Sequence, residues 1–258
     1  MTQYDVIVAG AGLAGLSFVW HLLETDTAHR VLVIDRSLTP SNDKTWCFWG
    51  EADAPFASLA AHSWRAAEVR FNATIVHDNL EAMHYHCIHS ETFQQHVLAR
   101  LHASPQVTLL EADIVEIGEF SAGAFVQTNR GRHTADWVVQ SVQPSRREAD
   151  QLLDYPVRQH FGGIEIQTHE AVFSPERFAM MHFRVPQRDG VSFVYILPTA
   201  PDRALVEHTV FSTRPMPAAD HFAATHDYIR ANLTEDYTVL RTETGDLPMN
   251  DAMPPQQS

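Results

Sequence analysis

Residues 4–23 read YDVIVAGAGLAGLSFVWHLL, and how this stretch divides decides the fold. Residues 6–23 hold no Asp, Glu, Lys or Arg, as a membrane span would. Three glycines interrupt the run, however, and Asp5 and Glu24 flank it closely. That punctuation points instead to a buried strand, a turn over Gly10-Ala11-Gly12-Leu13-Ala14-Gly15, and a helix with Leu16, Val19, Trp20 and Leu23 at helical spacing. RVLVIDR, residues 30–36, then reads as a second buried strand ending at Asp35, 20 residues beyond Gly15.

Strand, glycines, helix, strand and acid in this order form a dinucleotide-binding unit. Gly10 makes the tight turn, Gly12 lets the backbone approach a pyrophosphate, and Gly15 lets helix and strand pack closely. The helix N-terminus offers free N–H groups and the positive end of a dipole to the phosphates. Asp35 suits a ribose hydroxyl. The pattern does not separate FAD from NAD, and a ligand-free structural unit is the alternative reading.

The chain has 258 residues, enough for one large domain or two modest ones, and 45% of them are hydrophobic. Its formal net charge of -14 argues against a nucleic-acid partner, which needs a basic face, and against electrostatic docking to an anionic membrane. Two cysteines, Cys47 and Cys87, imply no disulfide framework and fit a reducing cytoplasm; the N-terminus MTQYD lacks the basic region of a secretory signal.

EVRFNATIV (68–76) and MHYHCIH (83–89) read as strands. HSETFQQHVLARLHA (89–103) reads as an amphipathic helix with Ser90 as its N-cap. Three strand-type segments follow, VTLLEADIVEIGE, GAFVQTNRGRHT and ADWVVQSV, with a turn at Asn129-Arg130-Gly131. His84, His86, Cys87 and His89 raise the question of a metal, but on a strand they divide between two faces, and no metal site is expected.

Beyond residue 159 the chain changes character. FGGIEIQT, FAMMHFRV, GVSFVYILP and RALVEHTVF are strand-type runs joined by polar turns, which describes an antiparallel sheet. Pro198 to Asp202 reads as a hairpin loop, and residues 217–233 as a helix. Alternation places Phe193, Tyr195 and Leu197 on one face of their strand, and Leu205, Glu207, Thr209 and Phe211 on one face of theirs. If that face is the inner one, Glu207 is a carboxyl among apolar groups and keeps its proton near neutral pH, as a general acid requires. A solvated edge-strand glutamate is the alternative.

Four further stretches resemble the FAD-dependent lycopene beta-cyclase family, one of them Gln159-His160-Phe161-Gly162, which resembles its strand entering the substrate domain. NDKTWCFW (42–49) resembles the aromatic-rich signature after its dinucleotide unit, and LVEHTVFSTRP (205–215) resembles the plant motif FLEETSLVARP at Leu205, Glu207, Thr209, Arg214 and Pro215. Glu243, Pro248 and Met249 resemble the later E-x-x-x-I-P-M element. The resemblance implies an α/β fold: an FAD-binding Rossmann-like domain of the glutathione-reductase type over 1–48 and 90–145, an antiparallel-sheet substrate domain over 49–89 and 146–242, and a tail at 250–258. It further implies carotenoid biosynthesis by redox-neutral conversion of the psi ends of lycopene, or a related linear carotenoid, to beta rings. Reduced FAD is the implied cofactor, with NAD(P)H as reductant, in a cytoplasmic enzyme that touches the membrane peripherally to reach its substrate.

In the residues that the resemblance assigns, Glu207 and Glu243 are catalytic, and Gly10, Gly12, Gly15 and Asp35 hold the cofactor. Trp46, Phe48, Trp49, Phe193, Tyr195 and Phe211 are candidates for an aromatic pocket wall, since aromatic faces stabilise carbocations without trapping them. His208 and His182 depart from the family, standing where the plant motif has a second glutamate and where many members have aspartate. The family also continues beyond its I-P-M element, so a C-terminally truncated chain that binds FAD weakly is expected. The competing expectations are an FAD-dependent isoprenoid reductase or monooxygenase, and an inactive remnant that only binds a ligand.

Overall fold

The computed structural model describes residues 3–25, 28–142, 157–187 and 190–249; the expected tail at 250–258 lies outside them. In chain order its elements begin with β1 (Tyr4–Ala9), α1 (Leu13–Leu22), β2 (Val31–Asp35), β3 (Thr45–Gly50), β4 (His62–Trp64), β5 (Ala66–Phe71), β6 (Thr74–Asn79) and β7 (His84–His89). They continue with α2 (Ser90–Ala103), β8 (Val107–Glu111), β9 (Ile114–Phe120), β10 (Gly123–Thr128) and β11 (Gly131–Gln140). The last are β12 (Arg158–Thr168), β13 (Arg177–His182), β14 (Val191–Ala200), β15 (Arg203–Ser212), α3 (Ala218–Asn232) and β16 (Tyr237–Pro248). Contacts divide the chain into two units, residues 1–43 with 89–144 and residues 44–88 with 145–258.

The first unit carries a sheet in the order β8-β2-β1-β11-β10-β9. Strands β8, β2, β1 and β11 run parallel, and β10 and β9 extend the sheet antiparallel. Val6 to Ala9 and Val31 to Ile34 are buried without alternation, as strands covered on both faces must be. The stretch that imitates a membrane span is therefore a strand, a glycine turn and a 10-residue helix. Among the described residues no helix is long and apolar enough to cross a membrane.

The second unit carries a seven-stranded sheet, β16-β12-β15-β14-β13-β5-β6, and a small sheet, β3-β7-β4. Its strands alternate, and each face of the large sheet has its own core. On one face Ile164, Ile166, Val194, Ile196, Val206, Tyr228 and Ile229 pack together, with α3 supplying the last two. On the other, Phe178, Leu197 and Leu205 pack against Trp64 and Cys87 of the small sheet. Trp64 is fully buried there and donates its indole N–H to the Pro198 carbonyl (2.8 Å).

Local readings differ from the structure at four places. The expected strand over 68–76 is the hairpin β5–β6, because Asn72 takes a left-handed φ of 52°, which asparagine tolerates. Ser90 is the first helical residue instead of the N-cap, and its hydroxyl donates to the Ser41 carbonyl (2.6 Å). GRHT and ADWVV form one strand, β11, whose first half pairs with β10 and whose second half pairs with β1. The loop expected from Pro198 contracts to a turn at Pro201-Asp202, since β14 runs on to Ala200.

Candidate functional site

Two constellations carry chemistry, one in each unit. In the first, Gly10 has a φ of +110° and turns the chain out of β1. A β-carbon at Gly15 would stand 2.0 Å from the Gly10 carbonyl oxygen, so only glycine allows this approach of helix to turn. A β-carbon at Gly12 would meet nothing within 4 Å. Gly12 is also the N-cap of α1 and supplies no side-chain cap, and the first turn holds no acid. Open backbone and uncapped N–H groups suit a phosphate anion. Asp35, at the end of β2, accepts from the Ala11 N–H (2.6 Å) and the Ser37 N–H (3.2 Å), which ties its carboxylate to the glycine turn. Gly10, Gly12, Gly15 and Asp35 thus come together at one strand–helix junction.

In the second unit Glu207 lies on the expected face of β15. It is aligned with Tyr195 on β14 and Gly163 on β12, and Gly163 is aligned in turn with Glu243 on β16. Four adjacent strands therefore present Tyr195, Glu207, Gly163 and Glu243 in one row. Glu207 is buried, and its Oε1 accepts from the Thr209 hydroxyl (2.8 Å). Its Oε2 has no hydrogen-bond partner among the described residues. Burial first, and then the charge of Glu243, push its carboxyl up to about 8 against the pull of the Thr209 hydroxyl. The carboxyl is therefore mostly protonated at neutral pH. Contact with Cys87 and burial push the nearby Cys47 thiol up, and burial also raises the Tyr85 phenol. Tyr195 is pushed up to about 12 by burial and by the charge of Glu207.

Glu243 has opposite surroundings. Its Oε2 accepts from Arg241 Nη1 (2.6 Å) and from the Thr45 hydroxyl (2.7 Å), while Arg241 Nη2 donates to that hydroxyl (2.6 Å). Arg241 Nε reaches Glu165 Oε2 (3.1 Å), and Glu165 Oε1 is held by Arg203 Nη2 (2.6 Å). Burial works to raise Glu165, but the bonds from Arg203 and Arg241 outweigh it and hold this carboxyl below its usual range.

The expected aromatic wall divides in two. Phe193, Tyr195 and Phe211 cluster on the Glu207 face, with ring centroids 5.2 Å (Phe193–Tyr195) and 5.4 Å (Phe193–Phe211) apart. In β3, alternation puts Thr45, Cys47 and Trp49 on the side of the large sheet, where Trp49 packs on Tyr85 (4.7 Å). Trp46 and Phe48 belong to the opposite side, where Phe48 packs on His86 (5.0 Å). Trp46 and Phe48 are thus apart from the Phe193 cluster, a correction that follows from the two-residue period of a strand. Thr45, Cys47, Tyr85, Gly163 and Arg241 went unnoticed in the sequence. The same period applied to TWCFWG would have selected Thr45 and Cys47, whereas nothing local marks Arg241 or Gly163.

His208 faces away from Glu207 and does not tune it. On the α3 face, His208 Nδ1 meets His221 Nδ1 (3.0 Å), His221 Nε2 meets His160 Nδ1 (2.8 Å), and His160 Nε2 meets Ser212 Oγ (2.9 Å). Ser212 donates to the Arg214 carbonyl (2.8 Å). Because Ser212 donates onward, it accepts from His160 Nε2–H, and every ring in the chain then fits as a neutral tautomer. His221 uses different nitrogens toward its two neighbours, so the three rings do not converge on one metal position. His208 and His160 also line a cleft of about 850 Å³ beside α3, on the face opposite Glu207. His182 is buried between Glu68 Oε1 (2.9 Å) and the Tyr228 hydroxyl (2.6 Å).

The family model described as lycopene cyclase protein matches residues 5–258. The lycopene beta-cyclase of Paracoccus sp. (strain N81106 / MBIC 01143) is 30% identical over 258 residues, covering 95% of this chain; the chain spans 61% of that protein's length. Among solved structures, a geranylgeranyl bacteriochlorophyll reductase-like protein from Thermoplasma acidophilum superposes with a TM-score of 0.69 at 12% identity, covering 97% of this chain and 69% of that one. The halogenase PltM, in complex with phloroglucinol and FAD, superposes with a TM-score of 0.66 at 14% identity, covering 96% and 60%. The fold is the α/β, Rossmann-type fold of FAD-binding enzymes.

Proposed function

The chain belongs to the lycopene cyclase family, and from that premise we propose that Glu207 is the acid of a lycopene beta-cyclase acting in carotenoid biosynthesis. One observation carries the reading: a carboxyl buried beside Phe193, Tyr195 and Phe211, pushed up to about 8, with Oε2 free to hold the proton. An alkene is a weak base, and only a desolvated acid close to its double bond protonates it at useful rates.

The step balances as an isomerisation. The O–H bond of Glu207 breaks and a C–H bond forms at the terminal double bond of a psi end group, leaving a tertiary cation. The neighbouring double bond attacks that cation and closes the ring. A ring carbon then loses a proton to the Glu207 carboxylate, which restores the acid and forms the beta ring. Phe193, Tyr195 and Phe211 offer ring faces to the cation and no nucleophile strong enough to trap it, since the Tyr195 phenol stays protonated. Trp49 adds a further ring on the β3 side. Glu243, the second assigned carboxylate, supplies negative charge to the same row.

Gly10, Gly12, Gly15 and Asp35 would hold FAD, to which the open Gly12 backbone and the uncapped helix are fitted. Bound in its reduced form, with NAD(P)H as reductant, the flavin would supply negative charge of the kind that favours cation chemistry. A linear carotenoid partitions into lipid, so the active protein meets the membrane peripherally.

The test is anaerobic incubation of the protein with lycopene in liposomes, FAD and NAD(P)H. The product is expected to keep the mass of lycopene, and Glu207→Gln is expected to lower ring formation by at least ~100-fold with the fold intact by circular dichroism. A wild-type rate in that variant removes Glu207 from the mechanism, and a product of altered mass replaces cyclisation with reduction or hydroxylation. For the cofactor, Gly12→Ala is expected to shift Tm by no more than a few degrees, because its methyl meets open space, and to weaken flavin binding at least ~tenfold in a fluorescence titration. Unchanged affinity would take the flavin away from this turn.

A further inference from the structure

Glu207 and Glu243 reach toward the same strip of β12, where Gly163 has no side chain to separate them. A β-carbon there would stand 3.2 Å from Glu243 Cγ and 3.5 Å from Glu207 Oε2. Two carboxyls sharing a site titrate as a pair, and the pair alone does not decide which member keeps the proton. Here the surroundings decide. Glu243 has a guanidinium and a hydroxyl on one oxygen, and because Thr45 accepts from Arg241, its own proton is directed at Glu243. Glu207 is faced by Cys47 of β3, Tyr85 of β7, Tyr195 of β14 and Thr209 of its own strand, with no cation among them.

We propose that Arg241, acting with Thr45, is a positioning residue that fixes the negative charge of the carboxyl pair on Glu243 and so reserves the proton for Glu207. The charges around the pair agree. Arg241 and Arg203 are matched by Glu243 and Glu165, so the row is neutral only while Glu207 carries its proton. Without Arg241, Glu165 still has Arg203, but Glu243 is left with the Thr45 hydroxyl and becomes a competitor for the proton.

The inference rests on the reading of Glu207 as an acid, but its test reads protonation and needs no turnover. Infrared difference titration of the protein between about pH 5.5 and 9 avoids ordinary surface carboxylates. One carboxyl per chain is expected to release its proton in a single step near 8, and Glu207→Gln should abolish it. In Arg241→Met the release is expected to split into two steps totalling two carboxyls, and adding Glu243→Gln should return a single step. Arg241→Lys should restore one step, which a purely structural role for Arg241 does not predict. Glu243→Gln alone should move the Glu207 step down by about one pH unit or more, because the repulsion goes and Arg241 is released. That arm, with the conservative Thr45→Val as a weaker form of the splitting, keeps the test decisive should Arg241→Met fail to fold. A single Glu207-dependent step in Arg241→Met within half a unit of wild type, or an unmoved step in Glu243→Gln, overturns the proposal. A correct titration without cyclisation would sink the functional reading and leave this one standing.

Discussion

Glu207 and His208 are consecutive residues of one strand, both buried, and burial acts on them in opposite senses. Removing water disfavours whichever form is charged, so the acid climbs to about 8 while the base falls to about 4. Both side chains are therefore neutral at pH 7, one as a proton donor to its face and the other as a link in a neutral hydrogen-bonded chain. The two faces differ in what surrounds them. The Glu207 face sets thiols, phenols and rings beside a row of paired charges, whereas the His208 face leans on α3 through imidazoles and hydroxyls. The difference teaches that desolvation alone makes an uncharged group, and neighbours decide whether that group is reactive or merely satisfied.

The contrast breaks most visibly at Glu207→Gln, where ring formation is expected to fall at least ~100-fold, while His208→Gln should keep most of the activity because His208 points away from the acid. Comparable losses in the two variants would mean that the faces are not separate.

A sharper version reads pH. Glu207 has a folded value above its ordinary 4.5, so its contribution to stability is full below 4.5 and is lost as pH rises through about 8. His208 and His221 have folded values near 4 against an ordinary 6.5, so theirs is full above 6.5 and is lost as pH falls through about 4. Chemical denaturation across pH should show two limbs of opposite slope, each on the order of a few kcal/mol. Glu207→Gln should flatten only the alkaline limb and His221→Phe only the acid one. A variant that flattened the other limb would break the comparison.

The smallest effect is expected at Gly163→Ala. Its methyl would come within 3.1 Å of Leu205 and 3.2 Å of Glu243, which those side chains relieve by shifting a few tenths of an ångström. About 1 kcal/mol of stability should be lost, measured by urea unfolding. The Glu207 titration should move as well, because the methyl stands between the two carboxyls. A change in stability with no change in titration would show that the pair does not share this gap.

The first unit was legible because its signals are local. A strand, three glycines, a helix and an acid fall within 35 residues, and each has one physical reading. The face of Glu207 was legible from a period of two along nine residues. Its neighbours were not, because the row of Tyr195, Glu207, Gly163 and Glu243 is set by the pairing of four strands. Thr45 meets Glu243 across a separation of 198 residues that no local pattern records. The division of Trp46, Phe48 and Trp49 was within reach of the same alternation that found Glu207, but clustered aromatics in sequence read as a cluster in space.

Trp64 has a further use. Its indole is wholly shielded between the large and small sheets of the second unit and is tied to Pro198. An indole in dry surroundings fluoresces at shorter wavelength than one in water, so this ring is a built-in optical gauge of whether those two layers stay joined. In a variant that keeps Trp64 and carries Phe at Trp20, Trp46, Trp49 and Trp137, a red shift that precedes global unfolding would reveal water entering the layer that keeps Glu207 dry.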